Sequence, residues 1–283
     1  MPPFTVLRGA CPPALLPAPL PAPLPALLPV LLLVLLGALP ACGPPAERPD
    51  CFKPAGATGH EYRPLAPFQQ IVVRDNIRLV LAADGAATYG ADLTAGRNLL
   101  AQLNTTVRPT GRPGGFELVL DNANRCNWVR DQTRPLTVVV HLPDSAARQR
   151  LTVVHEGEEP VTTARPGTRL DSLFLFTTNI GDFDLDVESR YIWLGIYEYG
   201  DIRLRGRTRD LRCTASAIGQ LRAENLACEY AYVQSYRDAE VHVRSAYGLG
   251  ITLHGRGNGY WYGAPEYPDY KATASGRVLR GGE

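Results

Sequence analysis

Residues 181–200 read Gly-Asp-Phe-Asp-Leu-Asp-Val-Glu-Ser-Arg-Tyr-Ile-Trp-Leu-Gly-Ile-Tyr-Glu-Tyr-Gly, with Phe183, Leu185 and Val187 alternating with acids. Period-two alternation marks a strand with one buried face. The opening Gly-Asp pair returns at Gly200-Asp201, and the same pattern runs on toward the C-terminus. Aligned on it, the last hundred residues stack Gly181, Gly200, Gly219, Arg237, Gly257 and Gly276, at spacings of 19, 19, 18, 20 and 19. Six places before these anchors stand Leu175, Leu194, Cys213, Ala231 and Ile251, and four places before stand Thr177, Ile196, Ala215, Val233 and Leu253. Four places after come Leu185, Leu204, Ala223, Val241 and Trp261. Alternation within a rung, repeated at a fixed longer period, fills a narrow core with strands stacked about 4.8 Å apart. The fold expected is an all-β parallel β-helix, or β-solenoid, with rungs of about 19 residues and a β-rich N-terminal portion ahead of it.

Outward from this repeat, the N-terminus carries an address. Leu15 to Pro40 is rich in Leu, Pro and Ala, carries no charge, and ends in Leu39-Pro40-Ala41-Cys42. A small residue before a cysteine lets a signal peptidase reach the bond, and the thiol then takes the lipid. Only Val30 to Leu39 is nearly free of proline, well short of the roughly 20 apolar residues a membrane-spanning helix needs. The organisation expected is a lipoprotein signal over 1–41, lipidation at Cys42, a tether rich in Pro and Gly over 42–60, and a folded region over 61–283. Attachment to a membrane through that lipid is the first partner expected, in a bacterial envelope and at its outer membrane or surface.

Basic and acidic side chains nearly balance, 29 against 28, and no basic stripe suggests nucleic acid. With Cys11 in the leader and Cys42 lipidated, Cys51, Cys126, Cys213 and Cys228 remain, an even set that permits disulfides in an exported protein. Cys213 falls in the core column that holds Leu194 one rung earlier, and Cys228 sits at another phase of the repeat. Cys51 and Cys126 flank the globular region and form the expected pair.

Ahead of the repeats, Gln70 to Leu81 holds two apolar bursts around Asp75-Asn76, which reads as two strands joined at a tight corner, since Asx residues tolerate positive φ. Gly96 to Leu103, with Leu99, Leu100 and Leu103 at helix-like spacing, reads as one short helix or a capping turn. Phe116–Leu120, Leu136–Leu142 and Leu151–Val154 read as further strands.

At this point the residues resemble a family. Leu65-Ala66-Pro67-Phe68 leads to Asp75-Asn76-Ile77, Asp50-Cys51-Phe52-Lys53 follows the lipobox, and Cys126-Asn127-Trp128-Val129-Arg130 stands in mid-chain. The last of these motifs is Gly257-Asn258-Gly259-Tyr260-Trp261-Tyr262-Gly263-Ala264-Pro265. Over roughly residues 60–280 this order resembles the auto-transporter adhesin head GIN domain of bacterial lipoproteins, with Asp-Asn-Ile where that family carries Gly-Ile-Asn. The resemblance implies a right-handed parallel β-helix and a surface location.

The repeated Gly-Asp turns raise the question of calcium, but Gly219-Gln220 and Gly276-Arg277 break the series. The plainer expectation is that glycine provides an αL corner and the next polar residue satisfies backbone donors in the turn. Asp182, Asp184, Asp186 and Glu188 face the outward residues Asp201, Arg203 and Arg205 of the next rung, as cross-strand ion pairs do. His60, His141, His155, His242 and His254 show no metal-ligand spacing, although His242 and His254 lie in successive rungs. No serine sits in a nucleophile elbow. Neither a catalytic residue, a metal site nor a cofactor is expected.

Eleven of the thirteen tyrosines fall between Tyr191 and Tyr270. Seven places before the anchors stand Phe174, Trp193, Arg212 and Tyr230, and one place before stand Ile180, Tyr199, Ile218 and Tyr236. Stacked aromatics on an exposed sheet bind the apolar faces of sugars or a protein surface, and they also stabilise rungs by ladder packing. Phe174, Trp193, Tyr199, Tyr230 and Tyr236 are therefore the candidate binding face. The function expected is a non-catalytic, lipid-anchored surface module that presents this face to a glycan or envelope protein. The alternatives are a carbohydrate-active β-helix lyase or hydrolase, and a structural envelope protein that self-associates.

Overall fold

The computed structural model describes residues 54–124 and 135–282. Cys42, Cys51 and Cys126 lie outside the described residues, as does the leader. From Arg150 the backbone winds through about seven turns of roughly 19 residues. The four longest strands, Phe183–Ile196, Ile202–Ala215, Leu221–Ser235 and Val241–Leu253, pair in parallel, each with the next. In Phe183–Ile196 the buried positions are odd from Phe183 to Val187 and even from Ile192 to Ile196. That slip of one residue near 188–191 turns the strand around a long edge of the solenoid, because changing parity exchanges the two faces. The two halves of each rung meet across the core: at Gly259 a Cβ would touch Ile251 and Leu253 of the opposite half.

The N-terminal portion adds two more layers to the same stack, out of sequence order. Gln70–Asp75 lies between Phe116–Asn122 and Arg150–Gly157, parallel to both. Ile77–Ala82 lies likewise between Leu136–His141 and Val161–Thr163. The corner between the first two strands has Asp75 at φ 55, and Asp75 Oδ2 accepts the Asn122 N–H at 2.8 Å. Antiparallel strands close this end: Thr58–Pro64 on Gly90–Gly96, and Leu103–Pro109 on Phe116–Asn122. A four-residue helix, Arg97–Leu100, packs Leu99 and Leu100 inward. Pairing thus begins at Thr58, inside the stretch expected as tether.

Two expectations about the repeat are corrected. The anchor of the fourth rung is Ala239, not Arg237: Cys213 pairs with Val233 and Ala215 with Ser235, and Gly257 packs on the Ala239 carbonyl. The last two steps before Gly257 are therefore 20 and 18 residues, from Gly219 to Ala239 and on to Gly257. A two-residue error keeps every side chain on its proper face, so apolar alternation could not reveal it. Val233, Ser235 and Val243 are the buried members of those columns, beside Ala231 and Val241, which are buried in neighbouring ones.

The anchor glycines, moreover, do not serve an αL corner. Positive φ occurs at other glycines, such as Gly206 and Gly263, and at none of the anchors. What the anchors supply is space, since a Cβ on Gly200, Gly219, Gly257 or Gly276 would collide with the carbonyl of the anchor one rung before. The residue after three of the anchors does satisfy a backbone donor, as expected. Asp182 Oδ1 accepts the Asp201 N–H at 2.9 Å, Asp201 Oδ1 the Gln220 N–H at 2.8 Å, and Asn258 Oδ1 the Arg277 N–H at 3.0 Å. These side chains thus bond the next rung.

At Gly181 the space is filled by His155, a fully buried imidazole edge-on to Phe183 at 5.4 Å. Its Nδ1 accepts the Gly157 N–H at 3.2 Å. Burial lowers its pKa from 6.5 to about 4, because a charge there would lose its water. Between those values the unfolded chain binds a proton that the folded chain refuses. His155 therefore contributes stability that is complete above pH 6.5 and lost as the pH falls toward 4, on the order of 3 kcal/mol. Urea unfolding of the wild type and His155→Leu at pH 7.5 and pH 4.5 should show their stability difference move in favour of the variant by about 2–3 kcal/mol. A pH-independent difference would contradict this assignment.

Candidate functional site

The outward positions of the sheet half that runs through Ser172–Thr177, Tyr191–Ile196 and Asp210–Ala215 form columns fixed by the parallel register. One column is Phe174, Trp193, Arg212, Tyr232, Gly250 and Asp269. The next is Phe176, Gly195, Thr214, Gln234 and Thr252, and on the other side run Ser172, Tyr191, Asp210, Tyr230, Gly248 and Tyr267. The Phe174 and Trp193 rings stack at 6.2 Å and 28°, and Phe176 and Tyr197 at 6.2 Å and 10°. Tyr191 leans on Phe174 at 5.6 Å. Further along, Tyr230, Tyr247 and Tyr267 form an edge-to-face chain at 5.2 and 5.1 Å.

Glycines inside the strands explain how these rings lie. A Cβ on Gly250 would stand 2.6 Å from the Tyr232 ring, one on Gly248 2.7 Å from Tyr230, and one on Gly195 within 2.9 Å of both Tyr197 and Phe176. The Tyr230, Tyr232 and Phe176 rings rest on the bare backbone of a neighbouring strand and Tyr197 on that of its own, which only glycine allows at this distance. Tyr197, Tyr232 and Tyr247 remain about 40% exposed, so rings supported from below still offer area to solvent.

Of the five residues expected on the binding face, the structure brings Phe174 and Trp193 into one ladder. Tyr230 belongs to the adjacent column, because the corrected register puts Tyr232 beside Arg212. Tyr236 stacks on His254 at 4.8 Å and 14° at the edge of the sheet, and Tyr199 lies in the turn next to it, highly exposed, beside a shallow depression with Ile218. Phe176, Tyr191, Tyr197 and Tyr232 were missed. For Phe176 and Tyr232 the signal was the glycine at the paired position, Gly195 and Gly250; Tyr191 pairs with Ser172 and Asp210 and carries no such signal.

The opposite half carries ions instead. Asp184, Asp186 and Glu188 pair in register with Arg203, Arg205 and Arg207, with Arg205 at 2.7 Å from Asp184 and Arg207 at 2.9 Å from Glu188. Half-exposed pairs of this kind contribute a few tenths of a kcal/mol each. His242 faces Arg222 and stacks on Tyr260 at 4.6 Å, with Glu240 at 2.6 Å from its Nε2 and the Tyr262 hydroxyl at 2.9 Å from its Nδ1. It does not approach His254. Cys213 and Cys228 are free and buried, and burial pushes both thiols up to about 12, where no reactive thiolate forms at neutral pH. Among the described residues no cluster of His, Cys, Asp and Glu is arranged to hold a metal, and no helix is long and apolar enough to cross a membrane.

The parallel solenoid thus carries a ring ladder on one half and a row of ion pairs on the other. The model of the family described as "Putative auto-transporter adhesin, head GIN domain" matches residues 67–265, and the chain belongs to that family. No curated protein matches it in sequence. Among solved structures it is similar to a putative adhesin from Bacteroides fragilis, at 15% identity and TM-score 0.65, covering 79% of this chain and 97% of that one. A putative adhesin from Parabacteroides distasonis gives 15% and 0.53, covering 80% and 98%. A putative lipid binding protein from the same species gives 15% and 0.52, again covering 80% and 98%. At such identities the likeness is one of fold.

The ring-on-glycine contact is testable by a double-mutant cycle. Gly250→Ala should cost about 1–3 kcal/mol of unfolding free energy through overpacking against Tyr232, and much less in a Tyr232→Ala background. An equal cost in both backgrounds, measured by urea titration, would show that the ring does not depend on that glycine.

Proposed function

We propose that this protein is a non-catalytic adhesin-like module of the bacterial envelope, anchored by lipid on Cys42, whose aromatic sheet face binds a glycan or an envelope protein. The observation that carries the reading is the ladder of Phe174, Trp193, Phe176 and Tyr197, stacked and partly exposed on one regular sheet. Rings held in place lose little entropy on binding, and an apolar ring face suits the C–H face of a sugar. Family membership supports a surface or envelope setting. Cys51 and Cys126 are proposed as a disulfide that secures the N-terminal end.

A second reading, self-association, is favoured by the last rung. Tyr267–Ala272 is exposed along its length and pairs with Val241–Leu253 on one side, which leaves an edge that another strand can join.

The experiment is binding of the purified protein to an array of glycans and envelope polysaccharides, with Trp193→Ala/Tyr232→Ala as the paired variant. Binding by the wild type should fall at least tenfold in the variant. An array with no signal, together with oligomers that grow with protein concentration, would contradict the glycan reading and favour self-association. Release of reducing or unsaturated sugars would establish the enzyme alternative instead.

A further inference from the structure

On the ionic half and along the adjoining edge most arginines meet carboxylates: Arg203, Arg205 and Arg207 as described, Arg169 on Glu188 at 3.2 Å, and Arg190 on Asp171 at 3.0 Å, while Arg244 and Arg280 lie over the Tyr262 and Trp261 rings. On the aromatic half, Arg150 and Arg212 are exposed, and among the described residues neither has a carboxylate at ion-pair distance. They lie on rings instead. The Arg150 guanidinium stands 3.9 Å from the centroid of Phe174, and that of Arg212 stands 5.5 Å from the centroid of Tyr232.

Three acids of this face are already engaged. Asp210 is held by Arg209 at 2.7 Å, Glu117 by Arg108 at 2.8 Å, and Glu156 by Arg74 at 2.6 Å, while Asp269 stands three strands beyond Arg212 in its column. The two cations are thus free to meet a charge from outside, and their attachment to ring faces fixes where they point. Arg150 and Arg212 are three strands apart, roughly 14 Å at the usual strand spacing, with Phe174 and Trp193 between them. A polymer crossing the strands meets Arg150, Phe174, Trp193 and Arg212 in turn.

Resting on the reading of this face as a glycan site, we infer that its ligand is an acidic polysaccharide, with sugar rings on Phe174 and Trp193 and carboxylates on Arg150 and Arg212. Guanidinium and carboxylate match in planar, two-pronged geometry. Neutral sugars would leave both arginines without a partner.

The test uses the full chain with two polymers of the same sugar, polygalacturonate and its fully methyl-esterified form, which differ in charge and share ring faces. Polygalacturonate should bind at least tenfold tighter, with an advantage that shrinks as salt is raised. Arg150→Gln/Arg212→Gln should abolish the advantage while leaving the ester's affinity unchanged, and Trp193→Ala should weaken both polymers. Equal affinity for the two forms, or an advantage that survives the double arginine variant, would overturn the inference and leave the glycan reading standing. Polyglutamate binding as tightly as polygalacturonate would reassign the arginines to an acidic protein and overturn the sugar class. If neither polymer binds, the glycan reading of the face falls and this inference with it.

Discussion

Everything in this molecule depends on how closely one rung can sit on the next at the anchor column. Gly200, Gly219, Gly257 and Gly276 each face the carbonyl of the preceding anchor at a distance where a Cβ would collide. That approach lets the parallel ladders on both halves continue without a gap, and the Asp182, Asp201 and Asn258 side chains tie the turns together across it. Apolar burial supplies the driving force, with Leu194, Ile196, Leu204 and Ile251 fully or almost fully enclosed. Burial alone does not set the rise per rung. Backbone pairing sets it together with the small residues of the anchor column, glycine at most positions and alanine at Ala239.

A fixed rise turns the outer surfaces into ordered arrays. Successive strands repeat the same outward positions, so acids and arginines can alternate on one half while rings accumulate on the other. Strand glycines extend the same device to the surface, letting Tyr230, Tyr232 and Phe176 lie on a neighbouring backbone. The scaffold therefore positions flat apolar area and two ring-bound cations on one face.

Much of the architecture was legible because period two and period nineteen are both strong signals. The corner at Asp75, the short helix after Gly96 and the parallel rungs from Phe183 onward appear where the residues placed them. The anchor at 237 did not survive, since a shift of two preserves inward and outward parity and Arg237 stands two residues from Ala239. The layer order at the N-terminal end was invisible for another reason. Gln70–Asp75 sits between strands that both come later in the chain, and no local pattern records such an inversion. Of the aromatic face, Phe174 and Trp193 were legible as a column. Tyr232 was hidden by the register error, and Tyr197 by its place in a turn, from which its ring folds back over Gly195.

The central claim, that the small residues of the anchor column set the stacking, is tested most directly by hydrogen exchange on Gly219→Val, with the outward Thr214→Val as control. The account predicts that Gly219→Val loses backbone protection in both flanking layers, Phe183–Ile196 and Leu221–Ser235, while Thr214→Val keeps the wild-type pattern. Unchanged protection in Gly219→Val would show that the column tolerates a side chain and that the rise of the solenoid is set elsewhere.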